Sequence, residues 1–207
     1  MKLQVRHYIS ALAFVLLGNV VVSAAEEGRM AKLEVESGTA SFESSTNMPG
    51  IEVKGKSSGL SASVEVARDG NGLTLRTIEA AIPVKSLATG MKVRDEHMRK
   101  YIFTAADGQT PDIRFQAGGA NCGHDLVCKV SGNMTIRGVS HSVELTLQAK
   151  QQSSGSTLAF RVAGEGVVKL SDFGISAPSQ FGVTPSNQVK FRLEFAARQK
   201  ASMAGNR

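Results

Sequence analysis

Tryptophan is absent from this chain of 207 residues, and aromatic residues of all kinds make up only 5% of it. Proline is also scarce, with five residues, whereas glycine occurs 21 times. Much glycine with few aromatic residues favours many short strands over long helices. The hydrophobic fraction of 42% and the charged fraction of 20% suit a soluble globular protein and exclude a disordered one. One domain of ordinary size is therefore predicted.

The chain also has little that points to catalysis or to nucleic acid. It contains neither the H-E-x-x-H zinc motif nor the G-x-G-x-x-G dinucleotide motif, and we predict neither an enzyme nor a cofactor. The formal net charge is +6, but the sequence contains no block of lysine and arginine. Nucleic-acid binding needs a basic stripe with aromatic platforms, so no such partner is predicted. The excess of basic over acidic residues indicates solubility or weak attraction to an anionic lipid surface.

One long apolar run is present, and it lies at the N-terminus. Lys2 and Arg6 precede an apolar stretch over residues 8–22, and residues 22–25 (VSAA) form an exit of mostly small residues. This pattern predicts a secretory signal peptide over residues 1–25. The alternative is a membrane anchor, but the run is shorter than the roughly 20 residues that a spanning helix needs. Loss of residues 1–25 removes two basic groups and leaves a net charge of +4.

Only two cysteines occur, Cys122 and Cys128, in the stretch CGHDLVC. An even number of cysteines in an exported chain predicts a disulfide, because the compartment is oxidising. The loop that it closes is short, so the predicted stabilisation is modest. The alternative is a metal site with His124 between two thiolates, which lacks a fourth ligand nearby.

The stretch from Val130 to Ala149 is the clearest structural signal. Apolar side chains alternate with polar ones on both sides of a predicted turn at residues 137–140 (RGVS). Alternation sends successive side chains to opposite faces of a strand, so this stretch predicts a hairpin with one apolar face. A hairpin alone is marginal in water, and the apolar face therefore needs further strands against it.

Alternation of this kind recurs along most of the chain. Residues 69–72 (DGNG) are the strongest signal for a hairpin turn, and a change of parity near Ile78 predicts either a bulge or a different strand register. About eight short antiparallel strands are predicted in all, which close into a barrel or pack as a sandwich. An eight-stranded barrel either packs its interior or holds one small ligand. With no tryptophan to fill it, we expect an internal apolar cavity.

Helical spacing occurs in one place. Leu87, Met91, Met98 and Ile102 recur at steps near three, four and seven, which predicts one helix over residues 86–101. Ser86 or Thr89 is the expected N-terminal cap, and residues 107–108 (DG) are the expected end of the segment.

Four short segments of this chain occur in an order typical of one bacterial family. They are residues 86–98 (SLATGMKVRDEHM), 111–115 (PDIRF), 132–145 (GNMTIRGVSHSVEL) and 171–175 (SDFGI). They resemble motifs of the YceI-like family, the lipocalin-like polyisoprenoid-binding proteins of bacteria, over about residues 31–197. Two departures are Met98, where leucine is usual, and residues 101–104 (YIFT), which replace a shorter run, so the cavity mouth is expected to differ. The cysteine loop is not part of the family pattern.

The resemblance implies an exported antiparallel β-barrel with a helix beside it. Together with the strand pattern it predicts an all-β, eight-stranded antiparallel lipocalin-like barrel with one α-helix over residues 26–200, and the polar residues at the C-terminus predict a flexible tail at 201–207. The resemblance also implies a long-chain lipid or isoprenoid inside the barrel and a location in the periplasm. We expect the inward-facing residues to bind the ligand, with Arg94 and His97 as polar contacts. The expected apolar contacts are Phe42, Met91, Met98, Ile102, Phe115, Met134, Ile136, Val143, Leu145, Leu147, Phe160, Phe191 and Phe195.

Several alternatives stay open at this stage. His97, Arg94 and Asp95 are also explained as purely structural groups that pack or pair with neighbouring strands, and His124 and His141 are expected to be exposed. Methionines near His97 suggest a soft-metal site, although thioethers more often line adaptable apolar pockets. The other functional readings are a stress-linked periplasmic barrel without ligand and a metal-handling protein. A homodimer is also possible.

Overall fold

The computed structural model describes residues 30–69, 72–152 and 157–200. The predicted signal peptide and the predicted tail lie outside these ranges. In the described part the chain forms nine strands, which are β1 (Met30–Ser45), β2 (Glu52–Ser57), β3 (Ser61–Asp69), β4 (Gly72–Ile82), β5 (Ile113–Cys122), β6 (Val127–Ile136), β7 (Val139–Gln152), β8 (Ala159–Lys169) and β9 (Gln188–Gln199).

The strands form one antiparallel sheet that closes on itself. Neighbouring strands pair in sequence order from β3 to β9, and β9 pairs along most of β1. On its other edge, β1 pairs with β3 near its start and with β2 near its end. The closed ring therefore consists of eight strands, and β2 is an additional strand beside the second half of β1. This confirms the predicted eight-stranded antiparallel barrel.

The hairpin predicted at the centre of the chain is present. β6 and β7 pair from Val127↔Gln148 to Ile136↔Val139, and the two residues between them, Arg137 and Gly138, both have positive φ. Two such residues form the turn whose twist matches that of the flanking strands. The predicted bulge is also present, two residues earlier than expected, since Arg76 is skipped in the β3–β4 register.

Antiparallel topology places the connections at two ends of the barrel. At one end lie residues 46–51, 58–60, 83–112, 137–138 and 170–187; we call this the helix end, because 83–112 contains α1 (Lys92–Met98). At the other end β3 ends and β4 begins, β7 ends and β8 begins, and the connection 123–126 joins β5 to β6; we call this the cysteine end. The two longest connections, 83–112 and 170–187, thus both lie at the helix end.

The predicted helix over residues 86–101 is wrong at its start. A 3-10 turn covers Val84–Ser86, α1 begins at Lys92, and a π-helical turn, Arg99–Phe103, continues it. The reason is that Ala88 is paired with Lys56 of β2 through two N–H···O bonds of 2.9 Å. A residue hydrogen-bonded to a strand in this way cannot begin a helix.

The predicted caps, Ser86 and Thr89, are also wrong. The N-cap residue is Met91, which makes no side-chain cap bond. Thr89 instead donates its N–H and its hydroxyl to Oδ1 of Asp95, each at 2.7 Å. No helix within the described ranges is long and apolar enough to cross a membrane.

Candidate ligand-binding site

Apolar side chains of the predicted ligand-binding set meet in the interior. Twelve of the thirteen belong to one hydrophobic cluster. Six are buried, namely Phe115, Met134, Ile136, Val143, Leu145 and Phe160. Six are half-buried and pack against the others, namely Phe42, Met98, Ile102, Leu147, Phe191 and Phe195. The structure does not bring Met91 into this set, because it precedes α1 and is 54% exposed. The roles of these residues in binding stay a prediction.

Glycines shape part of the inner wall. Leu145, Gly166 and Phe191 are cross-strand neighbours on β7, β8 and β9. A Cβ atom added to Gly166 would lie 2.5 Å from Cζ of Phe191 and 3.0 Å from a methyl carbon of Leu145. In the next row, a Cβ atom at Gly164 would lie 2.7 Å from a methyl carbon of Leu147. The large side chains therefore lie against bare backbone, which keeps their bulk close to the wall.

The inner side chains differ in how much of their surface is accessible. Leu145 and Phe160 are buried, whereas Phe42, Leu147 and Phe191 keep accessible surface. Accessible surface on an inward-facing side chain requires space beside it. Part of the inner face along β1, β7 and β9 is therefore left uncovered by neighbouring side chains. An enclosed cavity of ligand size stays a prediction.

The two cysteines form the predicted disulfide. Cys122 and Cys128 are cross-strand partners on β5 and β6, with their Cα atoms 4.3 Å apart. Both are buried in the same cluster as the inner residues. Because the thiols are bonded to each other, they are not available to a metal, and His124 beside them is exposed. Within the described ranges no three His, Cys, Asp or Glu side chains are placed to hold a metal ion.

The predicted polar contacts lie at the helix end. Nδ1 of His97 is 2.7 Å from Nε2 of Gln180, which joins α1 to the connection 170–187. Arg94 is half-buried and makes no hydrogen bond or ion pair with the part of the chain that is described. Among the described residues Asp95 bonds to Thr89 and to no neighbouring strand, contrary to the structural alternative. The hydroxyl of Thr89 above all, and then its N–H, hold the pKa of Asp95 below its ordinary value.

A depression of about 340 Å³ lies beside this region, and no sequence pattern pointed to it. Arg99 donates from Nη2 to the carbonyl oxygens of Leu87, at 3.1 Å, and Lys85, at 3.4 Å. Its Nε is the one buried side-chain nitrogen or oxygen of the described residues without a hydrogen-bond partner. Only the fold brings together the residues that line the depression: Pro83, Lys85, Arg99, Thr110 and Asp112.

Two strings in residues 50–59 match enzyme motifs, the P-loop and the nucleophile elbow, so the expectation that the chain contains neither motif is wrong. Residues 50–57 read G-x-x-x-x-G-K-S and residues 55–59 read G-x-S-x-G. A phosphate-binding loop or a nucleophile elbow requires a turn between a strand and a helix. Here Glu52–Ser57 is the strand β2 itself. Ser57 is buried and its hydroxyl lies 2.6 Å from that of Ser86, so neither motif has the required context.

Two of the segments used for the family resemblance touch each other. Phe173, in the 3-10 turn Leu170–Phe173, is 0% exposed, and Gly174 follows it in the left-handed conformation. The ring of His141, at the start of β7, contacts Phe173 edge-on, and its Nε2 lies 3.5 Å from Oδ2 of Asp172. The turn at 170–173 therefore closes onto the central hairpin.

The family profile of the YceI-like domain matches residues 32–197 of this chain. The chain belongs to the YceI-like family. The match covers all of the barrel strands except the ends of β1 and β9. No curated protein sequence matches this YceI-like chain closely enough to count as a relative.

Solved structures share the fold. The YceI protein of Campylobacter jejuni has 21% identity and a TM-score of 0.60, covering 74% of this chain and 89% of its own. BcnA of Burkholderia cenocepacia has 16% identity and a TM-score of 0.58, covering 76% and 95%. A polyisoprenoid-binding domain of Saccharophagus degradans, implicated in plant cell wall breakdown, has 17% identity and a TM-score of 0.57, covering 81% and 98%. At these identities the likeness concerns the YceI-like fold alone.

Proposed function

We propose that the protein is an exported carrier that holds an isoprenoid or another long-chain amphiphile inside its barrel. The observation that carries this proposal is the apolar inner face of the closed barrel. Twelve side chains of the predicted set belong to one hydrophobic cluster there. One structural neighbour, the Saccharophagus degradans domain, is a polyisoprenoid-binding domain, which supports the same class of ligand.

Hydrophobic burial supplies the driving force. Each CH2 group removed from water contributes about 0.8 kcal/mol. About ten chain carbons in the interior would therefore contribute about 8 kcal/mol before the cost of ordering the chain. The accessible inner surface of Phe42, Leu147 and Phe191 is where we place that chain.

Export to the periplasm rests on the N-terminal pattern and on the disulfide. Residues 1–25 carry the basic, apolar and small-residue segments of a signal peptide. The Cys122–Cys128 bond fits an oxidising compartment. We therefore propose that the carrier works in the periplasm, where it moves its ligand through water.

Native mass spectrometry of protein purified from a bacterial periplasm tests the proposal. We expect a bound mass of lipid size on the wild-type chain. Leu147→Glu places a carboxylate on the half-buried inner face and should remove that mass, because burial of a charge without a partner is costly. Gln148→Glu adds the same charge one residue further on, at an exposed position, and should leave the mass in place.

The other outcomes decide between functions. A wild-type chain without bound lipid that also fails to take up an added isoprenoid would favour a barrel without ligand. A copper or zinc increment that survives desalting would favour metal handling. Retention of lipid by a folded Leu147→Glu variant would contradict the inner-face site.

A further inference from the structure

The most exposed large hydrophobic side chain of the described residues is an aromatic one on a tight turn. Phe181 is 96% exposed. It forms the tip of a two-residue hairpin with Gly182, and Gln180 and Val183 exchange two backbone hydrogen bonds of 3.0 Å. Both tip residues have positive φ, 51° for Phe181 and 78° for Gly182. Asparagine or glycine is the usual residue at such a position, so the fold holds phenylalanine where local preference disfavours it.

This tip is anchored on two sides. Gln180 is hydrogen-bonded to His97 of α1, as described above. Asn47 donates from Nδ2 to the carbonyl oxygen of Gly182 at 3.0 Å, and its Oδ1 accepts from the N–H of Thr184 at 2.8 Å. The tip, α1 and the connection 46–51 therefore form one surface, and Phe181 projects from a supported base.

Exposed apolar side chains surround this base. Val93, His97 and Tyr101 follow one another at intervals of four residues along the helical segment, and the rings of His97 and Tyr101 are 5.7 Å apart. Val93 is 61% and Tyr101 51% exposed. Met48 and Ile51, in the connection that Asn47 anchors, are also exposed. We call Met48, Ile51, Val93, Tyr101 and Phe181 the apolar rim.

The distribution of such side chains is one-sided. Among the described residues, the exposed large hydrophobic residues lie at the helix end with two exceptions. Met30 lies at the cysteine end and Val167 on the outer wall of β8. Clustering at one end of a molecule marks an interaction surface, whereas scattered exposed apolar residues do not.

Basic residues accompany the apolar rim. Segment 92–103 carries four lysine and arginine residues against two acidic ones. Lys92 and Lys100 are exposed, and Nζ of Lys100 lies 5.1 Å from the centre of the Tyr101 ring. Apolar and aromatic side chains beside lysine match the boundary between acyl chains and anionic headgroups.

We propose that the apolar rim docks the protein on an anionic phospholipid surface, with Phe181 inserted among the acyl chains and Lys92 and Lys100 against the headgroups. The docked face contains the helix end of the barrel, through which cargo would pass. This last step rests on the proposed carrier function, whereas docking itself does not depend on cargo.

Flotation with vesicles tests the docking. The wild-type chain should float with vesicles of phosphatidylcholine and phosphatidylglycerol, and less so with phosphatidylcholine alone or at high salt. Phe181→Asn keeps a residue that suits the turn and should lower the bound fraction about tenfold, because the inserted ring is lost. Met30→Asn, at the opposite end and 57% exposed, is the matched control and should bind as the wild type does.

Charge and insertion are tested separately. Lys92→Gln with Lys100→Gln should weaken binding and reduce its dependence on salt, whereas Lys129→Gln with Lys150→Gln, on the outer wall, should do neither. The chain has no tryptophan, so Phe181→Trp introduces a single reporter, whose emission should shift to shorter wavelength when vesicles are added.

Three results would overturn docking: no flotation of the wild-type chain, equal flotation of Phe181→Asn, or no emission shift of Phe181→Trp. A dimer that Phe181→Asn converts to a monomer would assign the rim to a second copy instead.

Cargo binding is tested apart from docking, because native mass spectra of Phe181→Asn should still show bound cargo. Absent cargo in all variants, with vesicle binding intact, would count against the carrier function and not against docking.

Discussion

The two ends of the barrel are built differently. At the cysteine end short connections join the strands, and a disulfide links two cross-strand neighbours. The helix end contains the two longest connections, 83–112 and 170–187, most of the exposed large apolar side chains of the described residues, and the depression near Arg99. The difference is that a covalent bond joins two strands at one end, whereas the other end carries the surface that we propose for docking. The apolar inner face of the barrel extends from one end to the other.

The largest effect on the free energy of unfolding is expected at the helix end, from the buried ring of Phe173 in the connection 170–187. Phe173→Ala removes a ring that is 0% exposed and should lower the free energy of unfolding by about 3–5 kcal/mol. Phe181→Ala, at the exposed tip of the same connection, should change it by less than about 0.5 kcal/mol. Urea unfolding measures both. A loss below about 1 kcal/mol for Phe173→Ala would mean that the connection 170–187 is not anchored as described.

A smaller effect is expected at the cysteine end. Replacing both Cys122 and Cys128 by serine opens a short loop and should cost about 2 kcal/mol. The lipid mass bound to the folded variant should be unchanged, because serine keeps a side chain of similar size beside Leu147, the cross-strand partner of Cys128. Unfolding curves with and without reductant provide the check on the wild type. Loss of lipid at unchanged stability would reverse the roles assigned to the two ends.

The bonds between Thr89 and Asp95 predict a dependence on pH. Asp95→Asn should lower stability by about 1 kcal/mol at neutral pH. The pKa of Asp95 is lowered in the folded protein, so its contribution is full above the unfolded pKa and disappears as pH falls through the folded value. The difference between wild type and variant should therefore shrink on acidification below about pH 4. A difference that grows at low pH would contradict this assignment.

The smallest effect concerns the link between Gln180 and His97. Gln180→Ala removes one surface hydrogen bond and should cost about 0.5 kcal/mol. A double-mutant cycle with His97→Ala should give a coupling energy of similar size. Zero coupling would mean that the hairpin tip is held by Asn47 alone.

Features set by local pattern were predictable from the sequence. Alternation predicted the strands, Arg137-Gly138 predicted the central turn, and an even number of cysteines in a chain with a predicted signal peptide predicted the disulfide. Alternation also placed inward all of the apolar site residues that lie on strands. The closed ring needed the family resemblance as well, because a sandwich has the same pattern.

Features set by distant contacts were not predictable. Met91 fits the helical stripe by spacing, but pairing of Ala88 with β2 delays the helix and leaves Met91 on the surface. The depression at Arg99 combines residues from both sides of the helical segment. Phe181 gave no signal at all, since its sequence neighbours form no periodic pattern and only the turn geometry exposes it.

Photo-crosslinking with a diazirine-bearing isoprenoid tests most directly whether the ligand lies inside the barrel, because mass spectrometry of the digested protein reports which face the ligand touches. We predict adducts on the inner face of β1, β7 and β9, at residues such as Phe42, Leu147 and Phe191, and their loss in Leu147→Glu. Adducts confined to outward-facing residues or to the apolar rim would contradict a ligand inside the barrel.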